Sequence, residues 1–231
     1  MSEISPDEIG KTIVDRINKI RNQIPAQVKL VAVSKYTTTE AVRAAYAAGV
    51  RDFGESRVQD SKIKQAELAD LEDITWHMIG SLQSNKARQA IAQFDWIHSI
   101  DRLSLAEQCD RIIAELGKSP KLLLQVKLAE DPTKSGWSEA ELIADLPQLK
   151  KLANLDIVGL MTILPIGLDD EQAYSVFSRV GDLAEKLRSQ GWVNIHELSM
   201  GMSADYAIAV KAGATIIRVG NQIFSGYSNQ S

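Results

Sequence analysis

The sequence predicts a single (β/α)8 barrel spanning one domain, residues 1–231. Three observations predict it. Short β-branched or apolar runs alternate with amphipathic helical segments along the whole chain, the pattern of parallel strand pairing. Eight such runs can be read, as a closed barrel requires. The 231-residue length suits one barrel, and no Pro-, Gly- or Ser-rich linker divides it. An open doubly wound sheet is the other arrangement of the same units.

The first element is a helix over about 6–24. Ser5, Pro6 and Glu8 supply an N-cap, a first-turn proline and a capping-box acid, and Ile9, Ile13, Ile17, Ile20 and Ile24 fall on one stripe. The strands are then 28–34 (VKLVAVS), 50–54, 75–80, 96–100, 121–128, 155–163, 194–199 and 215–219. Thr37 and Glu40 form a capping box for a helix ending at Gly49. Further helices are expected at 57–69, 85–93, 103–116, 138–152, 170–189 and 204–212. The chain ends shortly after the eighth strand, so neither a second domain nor a long final helix is expected, and the opening helix would cover the barrel there.

Composition excludes several function classes. A formal net charge of −4 with interspersed signs argues against nucleic-acid or anionic-membrane partners. The nearly unbroken apolar run 157–168 is too short to span a bilayer and contains Gly159 and Pro165. The N-terminus has early acids and no apolar segment of a secretory signal. The lone Cys109, at helical spacing with Leu105, Ile112 and Leu116, reads as a core residue in a reducing compartment. A cytoplasmic protein is expected. His77, His98 and His196 lie in three different strands without metal-ligand spacing, so each reads as a hydrogen-bonded barrel or core histidine, and no metal is expected. Walker, dinucleotide and serine-hydrolase motifs are absent. The charged face around Lys62, Lys64, Glu67, Asp70, Glu72 and Asp73 reads as solvated surface.

Barrel sites form at the C-terminal strand ends. Lys35 ends the first strand, and an inward-facing lysine there would be partly desolvated, which favours the neutral amine of Schiff-base chemistry. A solvated strand-end lysine is the alternative. After the seventh strand, Ser199–Ser203 (SMGMS) opens into a helix with Ser203 placed as N-cap. Arg218 and Gly220 follow on the eighth strand. Free amides there would suit a phosphate, with Arg218 adding charge and Gly220 allowing close approach. An ordinary turn with an arginine–carboxylate pair fits the same spacing.

At these residues the sequence resembles the pyridoxal-phosphate homeostasis proteins. The motifs are LVAVSK (30–35), FGESRVQD (53–60), WHMIGSLQSNK (76–86), GLMTI (159–163) and LSMGMSADYAIAVKAGATIIRVGNQIF (198–224), in order and over nearly the whole chain. The resemblance implies an alanine-racemase-like, fold-type III barrel binding pyridoxal 5′-phosphate (PLP), with Lys35 as the Schiff-base lysine. It implies that Ser199, Ser203, Arg218 and Gly220 surround the cofactor phosphate and that Met161 and Met200 lie near the ring. Ser56 stands where the family usually has an asparagine near the cofactor. The tail, Ile223-Phe224-Ser225-Gly226-Tyr227, lacks the family's usual arginine. The implied role is vitamin B6 homeostasis and amino-acid/keto-acid balance without a defined catalytic activity, with PLP-dependent apoenzymes as partners. A racemase is the alternative. It needs two bases, and related racemases draw one from a partner subunit within a two-domain architecture, so a monomer without that chemistry is expected here. A lysine aldolase acting on a sugar phosphate shares the lysine and phosphate features and is distinguished by having no chromophore.

Overall fold

The computed structural model describes residues 6–131 and 133–227. Its eight strands, β1 (Lys29–Val33), β2 (Asp52–Glu55), β3 (Thr75–Met78), β4 (Trp96–Ile100), β5 (Lys121–Gln125), β6 (Asp156–Met161), β7 (Glu197–Ser199) and β8 (Ile216–Val219), pair in parallel in chain order. β8 closes on β1 with Lys29 beside Ile216 and Ala32 beside Val219. The strand and helix alternation therefore builds the closed barrel.

Period-two alternation divides the strand side chains between two cores. Val31, Trp96, Leu123, Met161 and Ile216 fill the barrel interior. A larger cluster, including Leu30, Ala32, Phe53, Ile97, Leu122, Leu124 and Ile217, packs between the barrel and its helices. Cys109 is fully buried in that outer layer, and burial pushes its thiol up to about 12, so it is inert core.

The helices are α1 (Pro6–Arg21), α2 (Thr39–Ala47), α3 (Val58–Glu67), α4 (Ala87–Gln93), α5 (Leu103–Leu116), α6 (Glu139–Leu149), α7 (Asp170–Ser189), α8 (Tyr206–Lys211) and α9 (Asn221–Phe224). In α1 the isoleucine stripe is buried at Ile13, Ile17 and Ile20 and packs on α2 and α9. Its expected cap residue Ser5 and the side chains of Pro6 and Glu8 lie outside the described residues. Capping boxes start α6 (Ser138 with Glu141) and α7 (Asp169 with Gln172). Helix α5 ends on Gly117 in the left-handed conformation.

Several bounds differ from the sequence reading: α1 stops at Arg21 instead of about 24, β5 at Gln125 instead of 128, and β7 starts at Glu197 instead of 194. The cap of α2 is Thr38, whose hydroxyl accepts from the Ala41 amide, because Thr37 is buried and its hydroxyl turns back to the Lys35 carbonyl. The short α9 was not expected. Arg16 of α1 donates to the carbonyls of Ile223 and Ser225 (2.9 and 2.8 Å) and lies over the Tyr227 ring, so the opening helix supplies the tail with an arginine.

Candidate cofactor site at the barrel mouth

The first strand ends two residues before Lys35. Ser34 leaves the sheet, Tyr36 takes a positive φ of 61°, and Lys35 sits on the intervening turn with an exposed side chain. Alternation stops where the strand stops, so the expected burial of this lysine is corrected to solvent exposure. The turn stands on a buried tripod. The Ser34 hydroxyl donates to Glu55 Oε1 (2.7 Å), and Lys64 Nζ donates to the same oxygen (2.7 Å) and to the Ser34 carbonyl. Glu55 and Lys64 are 1% and 10% exposed at the side chain, so this ion pair is largely removed from solvent. The expectation that Lys64 belongs to a solvated face is thereby overturned. The helical stripe Val58, Ser61, Lys64, Leu68 carries the signal for it, since all four are buried.

Ser56 follows Glu55 and is half-buried. It lines a cavity of about 490 Å³ between the ends of β2 and β3, with Arg57, Gly80, Ser81 and Lys86. Lys35 and Arg218 are not part of that lining.

On the other side of β1, the β7 and β8 turns meet. The Arg218 amide donates to the Gly201 carbonyl (2.9 Å), and the Gln222 side chain donates to the Ser203 carbonyl (2.6 Å), tying the two turns together. The expected N-cap role of Ser203 is corrected: α8 starts at Tyr206, after a tight turn in which the Asp205 and Tyr206 amides both donate to the Met202 carbonyl. Asp205 Oδ1 accepts from the Met202 amide (2.5 Å). Among the described residues, the amides of Ser203, Ala204, Gly220 and Asn221 find no protein acceptor. Gly201 has φ +92°, and a Cβ there would lie 2.6 Å from the Ala209 Cβ, so the turn and α8 close only on glycine. Gly220 also packs closely on β1. A Cβ there would meet the Val33 Cβ and carbonyl at 3.1 Å, so its bare Cα serves barrel closure against β1.

Arg218 lies below these turns, not among them. Its side chain is buried; NH1 donates to Ser199 Oγ (2.6 Å) and NH2 to the Thr162 carbonyl (2.9 Å). The arginine–carboxylate alternative is not realised, since no ion pair involves Arg218 among the described residues. Burial holds its pKa down to about 10 against the opposing charge of Asp205. Met161 is fully buried in the interior core beneath the mouth, whereas the Met200 side chain packs in the outer cluster. Of the expected set, Lys35, Ser203, Gly220 and Arg218 therefore share the β7–β8–β1 side. Ser56 stands on the far side of Lys35.

A polar chain that the sequence did not reveal runs down from Arg218. Ser199 Oγ lies 2.8 Å from His98 Nδ1, His98 Nε2 lies 2.9 Å from His77 Nδ1, and His77 Nε2 lies 2.9 Å from Asp52 Oδ1. Asp52 opens β2 at the opposite end of the barrel and also accepts from Lys29 Nζ (3.0 Å). His196, by contrast, is exposed and joins no barrel core.

Comparison with known proteins adds to this geometry. Residues 11–228 match the family described as alanine racemase, N-terminal domain. The chain belongs to that family. It is 50% identical over 201 residues to a pyridoxal phosphate homeostasis protein of Synechocystis sp., covering 87% of this chain and 92% of the relative. The protein of the same name from Pseudomonas aeruginosa is 39% identical over 224 residues, covering 92% and 95%. The solved structure of PipY from Synechococcus elongatus with PLP bound superposes with a TM-score of 0.88 at 52% identity, covering 92% of this chain and all of PipY. Its PLP-free structure gives 0.90 at 53%, with the same coverage. An alanine racemase of Clostridium difficile (TM-score 0.77, 17% identity) shares the fold, and this chain spans 58% of it.

Proposed function

We propose that this protein is a one-domain PLP-binding protein, 1–231, that serves intracellular vitamin B6 homeostasis and amino-acid/keto-acid balance and holds its cofactor on Lys35. The observation that carries the reading is an exposed lysine just past the end of β1, the strand that pairs with β8, together with unbonded amides in the turns after β7 and β8 and a buried guanidinium on β8. Residues of this type fit PLP, which is an aldehyde and a phosphate on one aromatic ring. When bound, the cofactor supplies the aldehyde that a lysine amine captures reversibly as a Schiff base.

The chain's own residues divide the work. The tripod of Ser34, Glu55 and Lys64 sets the turn that presents Lys35. The amides of Ser203, Ala204, Gly220 and Asn221 serve the phosphate, in turns held by Asp205 and Gln222. Arg218, fixed by Ser199, gives the mouth a cationic floor, and Met161 gives that floor its apolar part. Ser56 flanks the Lys35 turn from the β2 side. Met200 contributes through its backbone, donating to the Ile216 carbonyl.

We assign the protein a carrier or regulatory role rather than an enzymatic one. The homeostasis role given by name to relatives that it covers at 92% and 95% supports this. An exposed Lys35 suits loading and release to PLP-dependent apoenzymes. We place the protein in the cytoplasm as a monomer; its lone, buried cysteine suits a reducing compartment. A stable dimer in sedimentation would contradict the monomer.

The test is the visible absorbance of the protein beside Lys35→Ala, with borohydride reduction and peptide mapping. A band lost in the variant and a reduced adduct on Lys35 support the assignment. A colourless protein that takes up no added PLP would sink it. Racemisation of alanine or serine abolished by Lys35→Ala would replace the carrier with an enzyme.

A further inference from the structure

The polar chain through the barrel has a direction. At its mouth end, a guanidinium can only donate hydrogen bonds; at its base, an ionised carboxylate can only accept them. With one proton on each imidazole ring, a single arrangement satisfies every contact. His77 donates from Nε2 to Asp52 and accepts at Nδ1. His98 donates from Nε2 to His77 and accepts at Nδ1. Ser199 donates to His98 and accepts from Arg218.

Both rings are fully buried, and burial lowers both pKa values. That of His98 lies well below its ordinary value, with His77 and Arg218 adding to the effect. Burial outweighs Asp52 at His77. The charges that act on the pair are Lys29, Asp52 and Asp95 toward the base and Arg218 toward the mouth. Trp96 stacks on His77 (5.4 Å between centroids) and shields it from the base.

We propose that Asp52, His77 and His98 are positioning residues, forming with Ser199 a one-way hydrogen-bond wire that fixes the Arg218 guanidinium at the floor of the mouth without cancelling its charge. A carboxylate bonded directly to Arg218 would orient it equally well but would neutralise it. Neutral links transmit orientation and leave the compensating carboxylate at the far end of the barrel. The cation is then free to act on an anionic or lone-pair acceptor in the mouth. The inference rests on the PLP reading only for the identity of that acceptor.

Ring-¹⁵N-histidine NMR tests the wire in the full chain, with exposed His196 as the internal reference. His77 and His98 are expected as neutral Nε2–H tautomers with protected ring protons, unchanged from about pH 6 to 8, where an unperturbed histidine titrates. An Nδ1–H tautomer in either ring, or a His77 imidazolium paired with Asp52, overturns it. In the PLP-loaded protein, His98→Phe keeps an apolar ring of similar size but severs the wire. PLP release is expected about tenfold faster, with a shifted absorption maximum, since bonds to a charged group are at stake. His98→Gln restores one acceptor and one donor and is expected to recover most of the effect.

Asp52→Asn, at the opposite end of the barrel, serves if His98→Phe does not fold. It is expected to mix the His77 tautomers and move the PLP band. An unmoved spectrum and release rate in the folded variants would overturn the proposal. Wild-type protein that binds no PLP would remove the cofactor reading, while the tautomers would still decide the wire.

Discussion

Lys35, just past the end of β1, and Arg218, on the neighbouring β8, are two cations of the barrel that are built in opposite ways. Lys35 is exposed on a turn past its strand, and all the order lies beneath it, in Ser34, Glu55 and Lys64. Arg218 is buried within its strand, with named acceptors on its two terminal nitrogens and a wire behind them. A group that must meet a ligand, release it and meet another has to be reachable. A group that only has to present charge is best immobilised, because a preorganised cation needs no reordering when the ligand arrives.

If this contrast is right, Lys35→Ala shows the largest functional effect and almost no structural one. The reducible adduct should vanish completely, while stability changes by no more than about 0.5 kcal/mol, as for ordinary surface positions. A urea midpoint that falls well below wild type would show that Lys35 is part of the scaffold after all.

The support under Lys35 should break in the reverse manner. Glu55→Gln leaves the Lys64 ammonium buried without its counter-charge, an expected loss of about 3–5 kcal/mol of stability by chemical denaturation. A loss under about 1 kcal/mol would mean that the pair is solvated in the folded protein. Gly201→Ala sharpens the comparison on the Arg218 side. Positive φ and contact with Ala209 should together cost about 1–3 kcal/mol and loosen cofactor binding. Retained thermal stability in that variant would show that the β7 turn relaxes freely.

The smallest effect is the pH dependence. His77 and His98 have folded pKa values below the ordinary 6.5, so the unfolded chain binds more protons than the folded one once pH drops below that value. Their contribution is present above about pH 6.5 and declines with acidification, at up to about 1.4 kcal/mol per histidine for each pH unit while the folded ring stays neutral, and more strongly through His98, whose pKa is lowered further. Replacing both histidines should flatten stability between about pH 6.5 and 5. An unchanged slope would show that the pair carries its proton in the fold.

The sequence by itself determined the elements and their order. Alternating apolar runs and the isoleucine stripe of α1 are local signals, and local periodicity is what backbone hydrogen bonding and burial act on; the caps at Thr38, Ser138 and Asp169 came from the structure. The sequence also singled out Lys35, Ser203, Arg218 and Gly220, because their motifs are contiguous. Only the tertiary structure decided what these residues touch. Lys35 is exposed because β1 ends at Val33, and that end is set by Ser34 turning to Glu55, 21 positions away. His98 and Ser199 are 101 positions apart, and only barrel closure makes them neighbours. Three histidines in three strands read alike in the sequence. Two face the barrel axis and one faces water, because side-chain direction and strand register become physical only when all eight strands close.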